Sequence, residues 1–293
     1  MDATLKTGDR QSQAETTAAL AAGTGPRHKD PSMNEASDFL LTLAEQAGQA
    51  ILSVYNTDFS VRHKSDQSPL TLADTRSHAI IAAALRERFP DIPILSEEGR
   101  AVAYSERCRW TRFWLVDPLD GTKEFVKRNG EFTVNIALIE ERRPVLGVIH
   151  VPVTGVSYLG EVGRGCWELE NGRRRPLHLE ADPVRRPLRV VCSRSHASPQ
   201  LEELLARLPV HDRVARGSSL KFCAVAGGEA DFYPRLGPTS EWDTGAGQAI
   251  VRAAGGVVVD PTGNPFTYNK EDIINGPFLV APSLAWLRRL GLV

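Results

Sequence analysis

The sequence predicts a mixed α and β protein with two halves of different pattern. In the first half, helical periodicity is followed by β-rich runs joined by short turns, which is typical of an α+β arrangement. In the second half, strands and helices alternate, which indicates an α/β arrangement. A charged, proline-bearing segment, Pro176 to Pro187, separates the two patterns. We therefore expect an N-terminal half at residues 32–182 and a C-terminal half at residues 183–293.

The first half is expected to begin after a disordered tail at residues 1–31, where Ala, Thr, Gln, Gly and charged residues dominate. From Met33 onward, apolar residues recur at helical spacing and predict a helix with one buried face. A second helix carries the apolar stripe from Ile80 to Leu85, with Thr71 as its cap and Asp74 at its third position.

The β pattern begins with a short buried strand, Ile92 to Leu95. Two β-rich runs, Phe132 to Ile139 and Val145 to Val151, are joined by four polar residues and predict a hairpin, and the Asn171-Gly172 turn continues a meander. The strands predicted in the second half are Leu188 to Cys192, Ala230 to Tyr233, Val257 to Val259 and Phe278 to Ala281, and the helices are Pro199 to Leu208, Ser219 to Ala226, Thr244 to Ala254 and one at the C-terminus.

The composition is that of a globular protein without a bulk charge. The 35 basic and 36 acidic side chains nearly cancel, so nothing in the net charge indicates nucleic acid as a partner. No run of about 18 apolar residues and no secretory apolar block occurs, so we predict no transmembrane segment and a cytoplasmic location. A peripheral contact with the cytoplasmic face of the inner membrane is left open. The four cysteines lack zinc or disulfide spacing and are read as reduced thiols.

One stretch organises the chain. The apolar run from Phe113 to Val116 has the bulk of a buried strand, and the Asp117-Pro118 step is expected to end it. The strand thus delivers Asp117 and Asp120 to its carboxyl end, across a link that the proline ring stiffens. The backbone N–H groups of Gly121 and Thr122 follow and can face an anion.

Acids stand at the start of loops in four separate segments, namely Asp74, Glu97, Asp117 with Asp120, and Asp243. Two carboxylates about 4 Å apart repel by about 4 kcal/mol at an effective dielectric constant of about 20, so a converging cluster needs protons or a metal. Oxygen ligands without His or Cys favour a hard cation, with Mg²⁺ first and Mn²⁺ or Ca²⁺ after it.

Each acid also has an ordinary structural explanation, which the residues alone leave open. Asp74 can cap its helix together with Thr71, and Asp243 can be an N-cap before Thr244. Glu97 can be a solvated loop acid, and Asp117 to Asp120 can form a simple turn.

The motif Asp117-Pro-Leu-Asp-Gly-Thr122, with Glu97-Glu98 upstream and Trp242-Asp243 downstream, resembles the inositol monophosphatase superfamily of metal-dependent phosphatases. Three further segments resemble one branch of this superfamily in particular, the bacterial 3′(2′),5′-bisphosphate nucleotidases. They are Lys123 to Ala137, Cys192-Ser-Arg-Ser-His196 and Gly217-Ser-Ser-Leu-Lys-Phe-Cys223. The resemblance implies a layered αβαβα sugar-phosphatase-like fold, with an antiparallel N-terminal sheet and a mixed C-terminal half.

The resemblance also implies a set of metal ligands. Glu97, Asp117 and the carbonyl group of Leu119 would hold one Mg²⁺ ion. Asp117, Asp120 and Asp243 would hold a second, so that Asp117 bridges the pair. Two ions in this arrangement fit phosphate hydrolysis, and a third, weakly held ion is left open.

The same resemblance assigns the remaining roles. Asp74 and Thr122 would orient and deprotonate the attacking water. The implied substrate contacts are Glu97, Leu119, Asp120, Gly121, Thr122, Ser193, His196, Ser218, Lys221 and Asp243. Of these, Lys221 is open to a second explanation as a solvated helix residue, and His196 as a cap or surface residue.

The implied activity is Mg²⁺-dependent removal of the 3′-phosphate of adenosine 3′,5′-bisphosphate, a small-molecule substrate, and of its sulfated precursor, in sulfur assimilation. Inositol 1-phosphate and fructose 1,6-bisphosphate are alternative substrates on the same fold. A non-catalytic nucleotide-binding module is a second alternative, but it predicts loss of a metal carboxylate or of Thr122, and none is missing. One departure from the family pattern is Gly245, where alanine is frequent, and it is expected to loosen the first helical turn by about 1 kcal/mol. The sequence leaves the oligomeric state open.

Overall fold

The structure is a computed structural model that describes residues 33–58, 62–63, 69–70, 72–182, 187–193 and 198–293. The tail at residues 1–31, the cap at Thr71 and the substrate contact at His196 lie outside the described residues. Within them, the predicted mixture of helices with a mixed sheet is present.

A seven-stranded sheet forms the centre of the first half. From one edge to the other, its strands are β3 Ile94–Ser96, β4 Arg112–Asp120, β5 Thr133–Glu140, β6 Arg143–Val151, β7 Val156–Glu161, β8 Gly165–Glu170 and β9 Arg173–Leu177. Neighbouring strands are antiparallel except β3 and β4, which are parallel, so the expectation of an antiparallel N-terminal sheet was wrong at this edge. The parallel pair brings the carboxyl ends of β3 and β4 to one side.

The sequence predicted that strand β4 ends at the Asp117-Pro118 step, and this prediction was wrong. The strand continues to Asp120, because a bulge accommodates the proline: Asp117 pairs with Asn135 and Asp120 with Thr133, so β4 has one residue more than β5 over this stretch. A bulge interrupts the ladder, so the missing N–H group of Pro118 costs no sheet hydrogen bond. The bulge lies between Asp117 and Asp120, at the carboxyl end of the strand.

Two tight turns join the meander. Glu141 and Arg142, with φ of 45° and 63°, connect β5 to β6 in the predicted hairpin, and Asn171 and Gly172, with φ of 49° and 75°, connect β8 to β9. Left-handed conformations at both central residues match the twist of a two-residue hairpin. Strand β9 was missed in the sequence, because its arginines and Pro176 resemble a linker.

Two long helices cover one face of the sheet. They are α1 Met33–Tyr55 and α2 Leu72–Arg88, and their apolar stripes pack with Trp114 and Ile136 of the sheet in one buried cluster. The remaining elements of the first half are short: β1 Arg62–His63, β2 Pro69–Leu70, α3 Tyr104–Arg107 and α4 Thr122–Val126. No helix among the described residues is both long and apolar enough to cross a bilayer. The four cysteines are free thiols.

The second half contains smaller sheets and further helices. Its elements are β10 Leu188–Ser193, α5 Pro199–Ala206, β11 Val210–Arg216, α6 Leu220–Ala226, β12 Tyr233–Arg235, β13 Thr239–Ser240, α7 Glu241–Ala253, β14 Val257–Val259, β15 Ile274–Asn275, β16 Phe278–Ala281 and α8 Leu284–Arg289. Strands β10 and β11 are parallel, and β12-β16-β14 form an antiparallel sheet. A buried cluster joins these strands to α5 and α8.

In this half, three strands were missed and one predicted boundary was wrong. Strand β11 was missed, because Asp212 and Arg213 interrupt its apolar pattern. The strand expected at Ala230 to Tyr233 begins only at Tyr233, because Phe232 bridges to Val190 on β10 before the chain joins β16. The two-residue strands β13 and β15 are too short to give a pattern.

Helix α7 lies across the other face of the seven-stranded sheet at very short range. Gly147 and Gly160 are cross-strand partners on β6 and β7, and a Cβ atom on Gly160 would lie 2.5 Å from the Cα of Ile250. A Cβ atom on Gly245 would likewise lie 2.8 Å from Leu115 Cδ2. Gly245 therefore permits close packing between α7 and the sheet. The resemblance to the family had given no reason for a glycine at this position.

This packing predicts that Gly160→Ala destabilises the protein. The new methyl group would meet backbone atoms of α7 that cannot move separately, so the free energy of unfolding should fall by about 2–3 kcal/mol, as for overpacked cores. Urea unfolding followed by circular dichroism measures the change. Gly276→Ala is the control, because a Cβ atom there meets nothing within 4 Å. Equal stability of the two variants would contradict the close contact.

Candidate active site

Three carboxylates meet where β4 ends and α7 begins. Asp117 and Asp120 come from the bulged end of β4, and Asp243 comes from the first turn of α7. One oxygen of each can be chosen so that all three lie within 4.8 Å of one another. The structure thus brings together acids that are more than 120 residues apart in the sequence.

Asp243 is held in place by the start of its helix. Ser240 is the N-cap of α7, and its backbone N–H donates to Asp243 Oδ2 over 2.7 Å in a capping box. The alternative that Asp243 itself is the N-cap was therefore wrong, because the helix begins at Glu241. Two residues before Asp243, the fully buried Glu241 carboxylate accepts from the backbone N–H of Asn269 and from Lys270 Nζ, which anchors the first turn.

The electrostatics of the cluster are those of crowded acids. Burial, followed by the charges of Glu97 and Asp120, raises the pKa of Asp117 well above its usual range. Burial and the charge of Asp120 raise the pKa of Asp243 to about 8, although the Ser240 N–H opposes this shift. A donor set of carboxylate oxygens fits a hard cation, and a divalent ion would replace the protons that such a cluster otherwise holds.

Asp74 and Glu97 lie around this cluster and outside its closest triad. Asp74 is the third residue of α2 and is 2% exposed, and Glu97 follows β3 and donates its backbone N–H to Val116. Both charges act on Asp117, whose pKa they raise. Helix α2 is fixed to this region because Ser77 Oγ donates to the carbonyl oxygen of Pro118 over 2.7 Å.

The residues after β4 make a tight turn toward the second half. Leu119 is buried, and its N–H donates to Asp117 Oδ1 over 3.1 Å. Gly121 has φ of 90° and precedes Thr122, the first residue of α4. A side chain on Gly121 would meet Ser218, so the glycine permits contact between the two halves as well as the turn.

A cavity of about 150 Å³ opens beside the acids. Its lining includes the predicted site residues Asp120, Gly121, Ser193, Ser218, Lys221 and Asp243. Lys221 is only 6% exposed, so its explanation as a solvated helix residue was wrong. Its Nζ donates to the carbonyl oxygen of Ser218 over 2.6 Å, and burial lowers its pKa to about 8.

Three residues that line this cavity were not predicted from the sequence. Tyr233, Arg235 and Thr239 line it as well, and the positive charge of Arg235 lowers the pKa of Asp243 in opposition to burial. These residues belong to no recognisable sequence motif. Tyr233 and Arg235 lie on β12, which is only three residues long, and only its pairing in the folded chain places them at the cavity. The structure alone places the guanidinium group of Arg235 among the predicted substrate contacts.

Comparison with known proteins identifies the family. The sequence model of the inositol monophosphatase family matches residues 32–287. The chain belongs to the inositol monophosphatase family. The resemblance found in the motif from Asp117 to Thr122 is thereby confirmed.

Relatives within this family are similar over nearly their whole length. The 3′(2′),5′-bisphosphate nucleotidase CysQ of Escherichia coli K12 is 48% identical over 247 residues, which cover 83% of this chain and 98% of the relative. The protein of the same description from Salmonella typhimurium is 50% identical over 241 residues, which cover 81% and 96%. The crystal structure of CysQ from Bacteroides thetaiotaomicron has a TM-score of 0.75 at 40% identity, with 85% and 98% covered. The inositol monophosphatase of Thermotoga maritima, at 24% identity and a TM-score of 0.74, shows the shared fold.

The raised pKa of Asp243 predicts how Mg²⁺ and pH act together on stability. In chelator-treated protein, the folded state keeps a proton that the unfolded state has lost, so this contribution to stability falls as the pH rises from the usual carboxyl range toward about 8. Mg²⁺ must displace that proton at low pH. The rise in melting temperature on adding Mg²⁺ should therefore be larger at about pH 8.5 than at about pH 6.

Differential scanning fluorimetry with chelator or with Mg²⁺ at both pH values measures this difference. In Asp243→Asn the pH dependence of the Mg²⁺-induced rise should shrink, because the titrating carboxyl group is gone. An equal rise at both pH values in the unsubstituted protein would contradict the prediction.

Proposed function

We propose that the chain is a Mg²⁺-dependent phosphatase that converts adenosine 3′,5′-bisphosphate to AMP and phosphate in sulfur assimilation. The observation that carries this proposal is the 48% identity to a 3′(2′),5′-bisphosphate nucleotidase over 98% of that relative. The site supports the same chemistry, because acids suited to hard cations adjoin a cavity with cationic side chains. The sulfated precursor of this nucleotide is a second proposed substrate.

The proposed metal ligands are those expected from the family. Glu97, Asp117 and the Leu119 carbonyl group hold one Mg²⁺ ion, and Asp117, Asp120 and Asp243 hold a second. When bound, such ions activate water and stabilise the leaving oxygen. Support comes from the short separation of the three aspartates and from the effect of Glu97 on the pKa of Asp117. A metal titration decides whether a third ion binds.

Asp74 and Thr122 are the proposed catalytic residues, which orient the attacking water and accept its proton. The placement of Asp74 supports this role, because it is buried and its charge acts on Asp117. Thr122 begins α4 directly after the turn at Gly121, and the N–H groups of these two residues are the proposed partners of the phosphate oxygens.

The nucleotide carries a second phosphate, which needs a positively charged wall away from the acids. Lys221 and Arg235 line the same cavity as Asp120 and Asp243 and are proposed to supply this wall. Ser193 also lines the cavity and stays a proposed contact. Glu97, Leu119 and His196 are carried as contacts on the family resemblance.

The same proposal includes the finer description of the fold and its location. A layered αβαβα arrangement is supported by three successive buried clusters, which lie between α1–α2 and the large sheet, between that sheet and α6–α7, and between the smaller sheets and α5–α8. The division between residues 182 and 183 lies between β9 and β10. A cytoplasmic location is proposed with it.

A substrate comparison tests the proposed activity. Phosphate release from adenosine 3′,5′-bisphosphate should exceed that from inositol 1-phosphate and from fructose 1,6-bisphosphate by about 100-fold or more in kcat/KM. Inositol 1-phosphate lacks a second phosphate, and fructose 1,6-bisphosphate lacks the nucleoside that would hold its second phosphate in the proposed subsite. All three are measured at the same Mg²⁺ concentration. A preference for either sugar phosphate would refute the nucleotidase assignment. Tight nucleotide binding with no turnover of any of them would favour the non-catalytic module.

Asp117→Asn tests the proposed bridging ligand. Its kcat should fall by about 10³-fold or more, because one carboxylate would serve both ions, while the fold should persist since the amide has the same shape. Steady-state rates and circular dichroism measure the two effects. Asp182→Asn is the matched control, because it removes one carboxylate from an exposed ion pair with Arg289. Near-normal turnover by Asp117→Asn would refute the bridging role.

A further inference from the structure

A cluster of hydroxyl and amide side chains lies directly behind Asp120. Thr133 and Asn135 occupy alternate positions of β5, opposite Asp120 and Asp117, and therefore point to the same face of the sheet. Ser218 and Ser219 approach from the loop that precedes α6. Thr133, Asn135 and Ser219 are at most 2% exposed, so their polar atoms depend on one another.

The hydrogen bonds in this cluster can be assigned a direction by counting protons. A carboxylate only accepts, so Ser218 Oγ donates its single proton to Asp120 Oδ2 over 2.7 Å. The 2.6 Å contact between Thr133 Oγ1 and Ser218 Oγ must then be a donation from Thr133. The proton of Ser219 goes to Thr133 Oγ1 or to Asn135 Oδ1, each 2.8 Å away. The hydroxyl groups thus form a chain that points toward the carboxylate and strengthens its last bond.

The amide of Asn135 adds a second bond to the same oxygen. Its Nδ2 lies 3.3 Å from Asp120 Oδ2 and must donate, and its Oδ1 then faces the hydroxyl groups as an acceptor. Asp120 Oδ2 therefore has two donors. Among the described residues no hydrogen bond is made to Asp120 Oδ1. The protein therefore fixes one carboxylate oxygen of Asp120 by hydrogen bonds and not the other.

The loop that carries Ser218 is itself tightly held. Ser218 has φ of 51°, a conformation that L residues seldom adopt, and the neighbouring Gly217 donates its N–H to Glu131 Oε2 over 2.8 Å. A Cβ atom on Gly217 would lie 2.9 Å from the carbonyl oxygen of Glu131. Lys221 Nζ holds the other side through the Ser218 carbonyl group. This backbone places the Ser218 hydroxyl group at Asp120.

We infer that Thr133, Asn135 and Ser218 are positioning residues that hold Asp120 Oδ2 so that Oδ1 is presented to the metal ion. The inference rests on the proposed role of Asp120 as a metal ligand. It also changes the role expected for Ser218, because its only proton is committed to Asp120. Its hydroxyl group does not donate to a phosphate oxygen and is limited to accepting from a donor such as a ribose hydroxyl group.

Thr133→Val and Thr133→Ser test this inference without any nucleotide. Valine keeps the shape and removes the hydroxyl group, whereas serine keeps it. Mn²⁺ binding, followed by electron paramagnetic resonance, should weaken by about tenfold at one site in Thr133→Val and stay within about twofold in Thr133→Ser, as for residues that orient metal ligands. The activation constant for Mg²⁺ should rise in parallel, while KM at saturating Mg²⁺ changes little.

Two further variants make the result decisive. Ser157→Ala, two strands away, also removes a buried hydroxyl group, which bonds His150, and should leave Mn²⁺ binding unchanged. If Thr133→Val does not fold, Ser218→Ala removes the same chain at a less buried position and should show the same loss. Wild-type Mn²⁺ affinity in a folded Thr133→Val or Ser218→Ala protein would overturn the inference.

The experiments distinguish a failure of the proposed function from a failure of this positioning inference. Asp120→Asn must itself weaken Mn²⁺ binding, and if it does not, the metal role of Asp120 is wrong before its positioning is considered. An error in the substrate would alter turnover only, since the Mn²⁺ titration contains no nucleotide.

Discussion

Repulsion among carboxylates is the constraint on which the rest of this structure depends. Asp117, Asp120 and Asp243 have ligand atoms within 4.8 Å of one another, and water is largely excluded from Asp117. Such groups separate or take up protons unless the protein fixes them and a cation neutralises them. The bulge in β4, the capping box of α7 and the hydroxyl chain behind Asp120 each remove one freedom by which the acids could move apart.

The same constraint explains why the two halves pack so closely. Asp243 belongs to a helix of the second half, yet it must reach acids on a strand of the first half. Gly147 and Gly160 let α7 lie on the sheet at a distance that no side chain would permit, and Gly245 does the same from the helix. The core between the halves therefore determines the geometry of the site, and a methyl group far from the acids can disturb both stability and metal binding.

Charge is divided across the cavity in a way that suits a substrate with two phosphates. The acids Asp120 and Asp243 and the cationic side chains of Lys221 and Arg235 line the same cavity. Burial removes water from the Lys221 ammonium group and lowers its pKa. The carbonyl oxygen of Ser218 accepts a hydrogen bond from this group. Because Ser218 Oγ also donates to Asp120 Oδ2, the ammonium group of Lys221 and the carboxylate of Asp120 are both hydrogen-bonded to the same loop residue.

The sequence by itself determined the long helices, most strands and the identity of the acids, because helical periodicity, apolar runs and the motif from Asp117 to Thr122 are local signals. It could not place β9 or β11, whose polar residues give no pattern until a partner strand is present, and it predicted β12 at Ala230 to Tyr233 instead of Tyr233–Arg235. It also ended β4 at Pro118, because a bulge is defined only by the strand opposite. The tertiary structure alone decided that Arg235 lines the cavity and that Lys221 is buried. It alone decided that Thr133 and Asn135 lie behind Asp120, since cross-strand register and the approach of a distant loop are properties of the folded chain.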